Sequence, residues 1–195
     1  MPITDRILAG LHALPGATDA ALRASTRLGT RGAPAEVRLS GDDRPLPASL
    51  APSSVVSVSH GYFAATGVRL ASGRTFNDLD REGTVPVAII KEWAARRWWP
   101  GESALGKTFR IDSAPGAGVT LTVVGVARDN KAAQPNVLLS GEGPEVYRPY
   151  LQAPSAFPTF LVRVDRRMAP AGVLRSFRAA LVASVPDRPV FVSLV

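Results

Sequence analysis

Prolines and glycines divide this chain into short segments, and that division constrains the fold more than any other feature of the sequence. There are 17 of each in 195 residues, and both residue types end helices and start turns. The longest apolar runs, at 85–90 and 121–126, are far shorter than the roughly 18 residues that a membrane helix needs. The spacing predicts an α+β protein of short helices and strands and excludes an all-helical architecture.

The composition is that of a folded globular protein with an excess of positive charge. Hydrophobic residues make up 46% and charged residues 20% of the chain, which excludes disorder over its whole length. The formal net charge is +7, and the basic residues are scattered along the sequence. Scattered charge argues against a nucleic-acid partner but permits attraction to an anionic lipid surface. The absence of cysteine excludes disulfides, thiolate metal sites and cysteine nucleophiles.

Local patterns predict the order of the helices and strands. Ile7, Leu8, Leu11 and Leu14 recur at helical spacing and predict an amphipathic helix at the N-terminus. Three more helices are predicted: a short one after Gly61, one at 91–99 and one that begins near Pro170. The segment 144–152 is predicted to be an edge strand, because its prolines cannot donate to a central ladder. The other main strands are predicted at 18–27, 35–40, 55–59, 86–90, 108–111, 119–127, 160–165 and 189–194.

The arrangement of these elements predicts a split domain. The first 76 residues and the last 36 each combine an amphipathic helix with short strands. The polar stretch 77–84 is typical of a linker and marks a boundary. We therefore expect residues 1–82 and 153–195 to form one α/β subdomain, with 83–152 inserted as a second small α/β subdomain.

Five segments lie along nearly the whole chain in a distinctive order. They are GYFAATGVRLASGRTF at 61–76, VAIIKEWAARRWWPGESALGKTFRI at 87–111, LTVVGVARD at 121–129, PEVYRPY at 144–150 and VPDRPV at 185–190. In this order and spacing they resemble the extracytoplasmic core domain of MacB-like (FtsX-type) ABC transporter permeases. The resemblance implies a porter-like α/β subdomain, split in sequence, with a second small α/β subdomain inserted into it.

The resemblance also implies a function outside the membrane. Such a domain is the soluble, non-catalytic part of a permease on the periplasmic side of the bacterial inner membrane, and it needs no cofactor. It transmits motion from the membrane helices of the parent, driven by a cytoplasmic ATPase domain or subunit, to substrates or to a periplasmic adaptor protein. An alternative is a substrate-capture module that binds a peptide, a lipoprotein or a small molecule in the cleft between the subdomains.

The residues of these segments divide into a structural set and a speculative contact set. Aromatic residues at helical spacing and glycines or prolines at turns are typical of packing and chain reversal. The two tryptophans Trp98 and Trp99 are candidate contacts for a partner or ligand, if either is exposed. The structural set is Gly61, Tyr62, Phe63, Gly73, Trp93, Pro100, Gly101, Gly106, Tyr147 and Pro149.

One segment imitates a nucleotide-binding motif. Residues 101–108, GESALGKT, match the phosphate-binding pattern G-x-x-x-x-G-K-[ST] letter for letter. A true phosphate-binding loop follows a strand and opens a helix. Here the match follows the predicted helix 91–99 and precedes the predicted strand 108–111, so the order is inverted. We interpret it as a structural turn.

Two further patterns imitate catalytic or metal sites. The run from Ser57 to Gly61 resembles a hydrolase nucleophile elbow, but it lacks the first glycine that the elbow requires. Asn77, Asp78, Asp80 and Glu82 are oxygen ligands without the spacing of a calcium-binding loop. We interpret the acidic cluster as a solvated, charged linker and expect no metal site.

Overall fold

The predicted strands join into one mixed sheet. A computed structural model describes residues 3–25, 36–41, 45–47, 49–50, 54–112, 118–129, 145–154, 158–165, 167 and 170–184. Within this part of the chain there are four helices and nine strands. In chain order they are α1 Ile3–His12, β1 Ala17–Ser25, β2 Glu36–Leu39, β3 Ser54–Val58, α2 Tyr62–Thr66, β4 Leu70–Gly73, β5 Val87–Lys91, α3 Glu92–Trp98, β6 Thr108–Asp112, β7 Gly118–Ala127, β8 Glu145–Pro149, β9 Pro158–Val164 and α4 Pro170–Ser184.

The strand order is β2-β6-β7-β5-β8-β3-β1-β9, and β4 pairs with β7 beside this path. The pairs β3–β8 and β5–β7 are parallel, and the other pairs are antiparallel. These bounds confirm the predicted elements to within one or two residues at most ends. The predicted strand 189–194 lies outside the described residues. The sheet runs without a break through the predicted boundaries near residues 82 and 153, and the division into two subdomains stays a prediction.

The prediction that 144–152 is an edge strand is wrong, because β8 lies inside the sheet. It pairs in parallel with β3, where Val56 faces Tyr147, and antiparallel with β5, where Ile90 faces Val146. Pro149 is the last residue of the strand. Its missing N–H therefore falls where the ladder ends, and the interior residues keep their donors.

The helices cover both faces of the sheet. Ala20 packs with α1 and α4, whereas its neighbour Ala21 packs with α2. Successive strand residues point to opposite faces, so α2 lies on the face opposite α1 and α4. Alternation along β1 and β3 then places Val55, which packs with the α3 cluster, on the same face as Ala20. The layers are therefore α1, α3 and α4 on one face and α2 on the other.

Three apolar clusters hold these layers together. Beneath α1 and α4, Ile7 and Leu11 meet Val173 and Phe177, as the helical spacing predicts. On the opposite face, Tyr62 and Phe63 of α2 pack on Tyr147 at ring-centroid distances of 5.8 and 5.3 Å. Under α3, the third cluster contains Trp98, Trp99 and Phe109. Aromatic contacts of this kind add to the stabilisation from buried area.

Candidate binding groove beside α1

A groove of about 570 Å³ lies where the first turns of α1 approach the ends of β3 and β8. Its apolar walls include Leu8, Leu22, Val58 and Phe76, and the last three are at least 96% buried. The segment 76–82 closes one side, and the turn after β8 closes another. The other lining residues are Thr4, Asp5, Ser59, His60, Asn77, Asp78, Asp80, Arg81, Glu82, Pro149, Tyr150 and Leu151.

The wall formed by residues 76–82 is held in place by a buried carboxylate. Asp80 is only 4% exposed, and it accepts hydrogen bonds from both terminal nitrogens of Arg74, at 2.7 and 2.8 Å. It accepts a third from the backbone N–H of Asn77 at 2.9 Å. These three hydrogen bonds, two of them from a charged guanidinium, offset the free-energy cost of burying the Asp80 carboxylate. The interpretation of this stretch as a solvated linker is therefore wrong at Asp80.

The environment of Asp80 shifts the pKa of both partners of the ion pair. Burial acts to raise the pKa of the Asp80 carboxyl, but the hydrogen bonds from Arg74 and from the Asn77 amide, with the attraction of the Arg74 charge, lower it below its ordinary value. The hydrogen bond to Asp80 raises the pKa of Arg74 above its ordinary value. Asp80 is therefore ionised at neutral pH, and it acts as a brace for the groove wall.

The exposed side of this wall includes one leucine among polar and charged residues. The Asn77 side-chain oxygen accepts a hydrogen bond from the Leu79 amide, which fixes a turn whose Leu79 side chain is 73% exposed. The Glu82 amide donates to the Leu151 carbonyl at 3.1 Å, and Leu151 is 42% exposed. The wall is thus tied to the turn after β8, and both segments present leucines to solvent.

The polar groups of the groove do not assemble a hydrolase site. Ser59 Oγ accepts a hydrogen bond from the Leu22 amide at 2.9 Å, which occupies the hydroxyl in a structural contact. His60 lies on the exposed rim with Nδ1 3.5 Å from an Asp78 carboxylate oxygen. In the described residues no group of three His, Cys, Asp or Glu side chains is placed to hold a metal ion. The groove has buried apolar walls and a charged rim.

Residues 101–108, which match the phosphate-binding pattern, form a structural turn whose backbone amides donate hydrogen bonds within the protein. It follows α3 and precedes β6, as predicted. The amide of Gly106 donates to the Val123 carbonyl at 2.9 Å, and the Lys107 ammonium pairs with Glu102 at 2.7 Å. A phosphate-binding loop needs these groups free to face the ligand, so this segment lacks the geometry of one.

Both tryptophans proposed as contacts are largely buried. Trp98 is 3% exposed, and its indole N–H donates to the Leu50 carbonyl at 2.9 Å. Trp99 is 8% exposed, and its edge lines a shallow cavity of about 480 Å³ beside Glu102 and Lys107. Neither lines the groove beside α1. Trp93 is partly buried against the cluster under α3, and the Arg97 guanidinium lies 4.3 Å from the centre of its ring. Ligand contact by Trp98 or Trp99 stays a prediction.

The other residues of the structural set lie at turns or in the core. Gly73 has a φ of +79° where β4 ends, and Gly101 and Gly106 each have a φ of +78° in the turn after α3. Pro100 follows α3, in agreement with its role as a helix stop. Gly61 precedes α2 so closely to β1 that a Cβ there would lie 3.0 Å from the Ala20 carbonyl oxygen.

Sequence reasoning missed two features of the groove. The first is the buried Asp80, whose only sequence signal is an arginine six residues earlier in a stretch rich in turn formers. The second is the exposed pair Leu79 and Leu151, which are 72 positions apart and which only the tertiary fold brings to neighbouring segments. In the sequence, Leu79 is a single apolar residue among polar and charged ones, and this was the signal that its side chain is exposed.

Comparison with known proteins decides the family. The model of the MacB-like periplasmic core domain matches residues 6–180. The chain belongs to this family. The MacB-like core domain resembles the periplasmic region of MacB from Actinobacillus actinomycetemcomitans, with a TM-score of 0.61 at 16% identity over 91% of this chain and 72% of that one. It also resembles the extracellular domain of the transporter YknZ from Gram-positive bacteria, with a TM-score of 0.63 at 16% identity over 94% and 84%.

Two longer bacterial proteins match part of the sequence. A probable syringafactin export ATP-binding/permease protein of Pseudomonas syringae is 31% identical over 94 residues, which is 48% of this chain and 13% of the relative. A probable export ATP-binding/permease protein of Pseudomonas fluorescens is 30% identical over 99 residues, 50% and 14% of the two chains. The core domain therefore spans only a small part of the curated relatives it matches.

These matches confirm the predicted family, the predicted α+β fold class and the extracytoplasmic location. The chain is a periplasmic domain of a MacB-like ABC transporter permease. Within its described residues, no helix has the length and apolar character required to cross a bilayer.

Proposed function

We propose that this domain transmits motion from the membrane helices of its parent permease to partners and substrates outside the membrane, without catalysing a reaction itself. ATP binding and hydrolysis by a cytoplasmic ATPase domain or subunit would drive that motion. The observation that carries the proposal is the contact between α1 and α4, which brings the first and last described elements into one packed layer.

The chain path supports a common direction for the two ends. The turn after α1 leads into β1, and the Asp165 amide, just after β9, donates to the Gly16 carbonyl at 2.9 Å. Both helices therefore meet the sheet at this one end. Each of the two helices packs back along its neighbouring strand. The start of α1 and the end of α4 therefore lie at the opposite end of these strands. Membrane helices attached there would pull on the domain from one side.

The continuous sheet supports efficient transmission. The nine strands that the structure describes are linked by backbone hydrogen bonds. A hydrogen-bonded, close-packed sheet deforms little compared with a linker. A displacement of α1 and α4 would therefore move β9, β1 and the rest of the sheet together. We also propose that the domain contacts a periplasmic adaptor and anionic lipid. The division into a porter-like split subdomain with an inserted second subdomain belongs to the same proposal.

A labelling experiment on the full-length parent tests this function. The domain contains no cysteine. In a parent whose cysteines outside the domain have been replaced, single cysteines can be introduced at His60→Cys, beside the start of α1, and at Ala13→Cys, beyond its end. Both positions are exposed. We expect a membrane-impermeant maleimide to label both in intact cells. In membranes, we expect ATP to change the labelling rate at position 60 more than at position 13.

The position 13 variant is the matched control for general effects of ATP. Labelling that requires cell lysis would contradict the extracytoplasmic placement. Equal labelling with and without ATP at both positions, in a parent that hydrolyses ATP, would contradict the transmission of motion.

A further inference from the structure

Arg148 carries a half-buried guanidinium for which the described part of the chain supplies no acceptor. The residue lies in β8, inside the sheet. Its Nε is sealed from solvent and makes no hydrogen bond. Burial lowers the pKa of Arg148 below its ordinary value, and no described carboxylate offsets that shift. A buried polar group without a partner is costly, and in native proteins it often marks the place of a ligand or ion.

Other arginines of this domain have acceptors although they are more exposed. Arg74, whose side chain is 46% exposed, donates to both carboxylate oxygens of Asp80. Arg163 is also exposed, and its Nε donates to the Ala65 carbonyl at 2.9 Å. Arg148 is less exposed than either of them. The missing acceptor therefore stands at the position where water compensates for it least.

The neighbours of Arg148 on its face of the sheet are small. In the parallel ladder Arg148 faces Ser57, which in turn faces Ala24 on β1. On the other side, the antiparallel register with β5 brings Ala88 opposite Arg148. Paired residues of neighbouring strands have their side chains on the same face. Because these side chains are short, the arginine can lie close to the sheet, which explains why its Nε is sealed.

The two terminal nitrogens of Arg148 form a donor fork that solvent can reach, since only Nε is sealed. Helix α1 packs on β1 and α3 packs on β5, and β3 and β8 lie between those strands. The fork therefore lies between α1 and α3. Its parallel N–H groups match the two oxygens of a carboxylate. A monoanion neutralises the single charge, whereas a phosphate dianion leaves an excess negative charge in a partly desolvated position.

We propose that Arg148 binds the carboxylate group of a small monoanionic ligand between α1 and α3. The terminal fork donates to both carboxylate oxygens, and Ser57 adds a hydroxyl on the same face of the sheet. The inference goes beyond the proposed function and is independent of it, because binding to the chain requires neither ATP nor motion. Failure of the inference leaves the proposed function unaffected.

The test is a titration of the ¹⁵N-labelled chain with sodium acetate, which replaces sodium chloride at constant ionic strength and pH 7. Nuclear magnetic resonance follows the arginine Nε–H signals, and the Arg148 signal is the one that Arg148→Gln removes. We expect that signal to shift saturably with acetate. Arg69 is exposed and keeps its hydration, so its signal should move little. Arg148→Lys keeps the charge without the planar fork, and it should weaken acetate binding several-fold.

Unfolding in urea provides a second readout of the same binding. At an acetate concentration ten times the dissociation constant, the ratio of folded to unfolded chain should rise about tenfold. The matched control Arg69→Gln removes the same charge from an exposed position and should show the same rise. Arg148→Gln should show less than a twofold rise. An Arg148 signal that does not saturate, equal stabilisation of Arg148→Gln and Arg69→Gln, or tighter binding of phosphate than of acetate would overturn the proposal.

Discussion

Asp80 shows how one residue converts a polar stretch into a fixed wall. Its neighbours Asp78 and Glu82 are exposed, whereas Asp80 is buried with Arg74 across it. A side chain without this charge leaves the partner guanidinium without its ion pair and offers one good acceptor oxygen instead of two. The stabilisation of the groove wall therefore depends largely on the Asp80 side chain.

We expect Asp80→Asn to lower the free energy of unfolding by about 2 kcal/mol, because charge-assisted hydrogen bonds in a partly exposed pair carry roughly this value. The matched control is Asp78→Asn, whose carboxylate faces His60 at 3.5 Å with both side chains mostly exposed. That change should alter stability by less than about 0.5 kcal/mol. Urea unfolding of both variants measures the difference, and equal losses would contradict a special role for Asp80.

The contribution of Asp80 should also depend on pH with a definite sign. Its pKa in the folded chain lies below its ordinary value, which in an unfolded chain is about 3.9. A depressed folded pKa stabilises the fold above the unfolded pKa, and this stabilisation disappears as the pH falls through the folded pKa. The stability difference between the unaltered chain and Asp80→Asn should therefore be full at pH 7 and smaller near pH 3. An equal or larger difference near pH 3 would contradict this linkage.

The junction of β4 and β7 has no room for an added atom at either of two paired glycines. At Gly73, which pairs with Gly125, a Cβ would collide with the Val124 carbonyl oxygen. At Gly125, a Cβ would lie 2.5 Å from the Arg74 carbonyl oxygen. Both neighbours are backbone atoms, which cannot rotate away. These two glycines let the chain pass closely over β7 before it enters the groove wall.

We expect Gly73→Ala to cost about 3 kcal/mol or more, from the positive φ and the backbone collision together. Gly101 is the control, because its φ of +78° is almost the same and nothing lies within 4 Å of its Cβ position. Gly101→Ala should cost only about 1–2 kcal/mol, the conformational part alone. Thermal unfolding compares the two variants. Similar melting temperatures would contradict a steric role for Gly73.

Elements with a local signal were predictable from the sequence, and elements defined by distant partners were not. The apolar face of α1 follows from the spacing of Ile7 and Leu11, and the order α3, turn, β6 follows from Pro100 and two glycines. The central position of β8 did not follow, because prolines near a strand say nothing about which strands flank it. The groove itself was unpredictable for the same reason, since its walls come from five separate segments.

At the scale of the whole molecule, the family was evident in the order of five segments, none of which is specific alone. The comparisons confirm it through a match over residues 6–180. The continuous sheet is a property that segment order did not reveal, and it makes the domain suited to move as a unit. An acidic, partly apolar groove lies beside the start of α1, where that motion would enter the domain.

The distance between the domain and the bilayer surface tests this account most directly. A fluorophore attached through Val85→Cys, a position that is 69% exposed, can report quenching by nitroxide-labelled lipids in the reconstituted full-length parent. We expect the quenching to change when ATP is added and to return when the ATP is exhausted. Quenching that stays constant during continued ATP hydrolysis would contradict a domain that transmits motion.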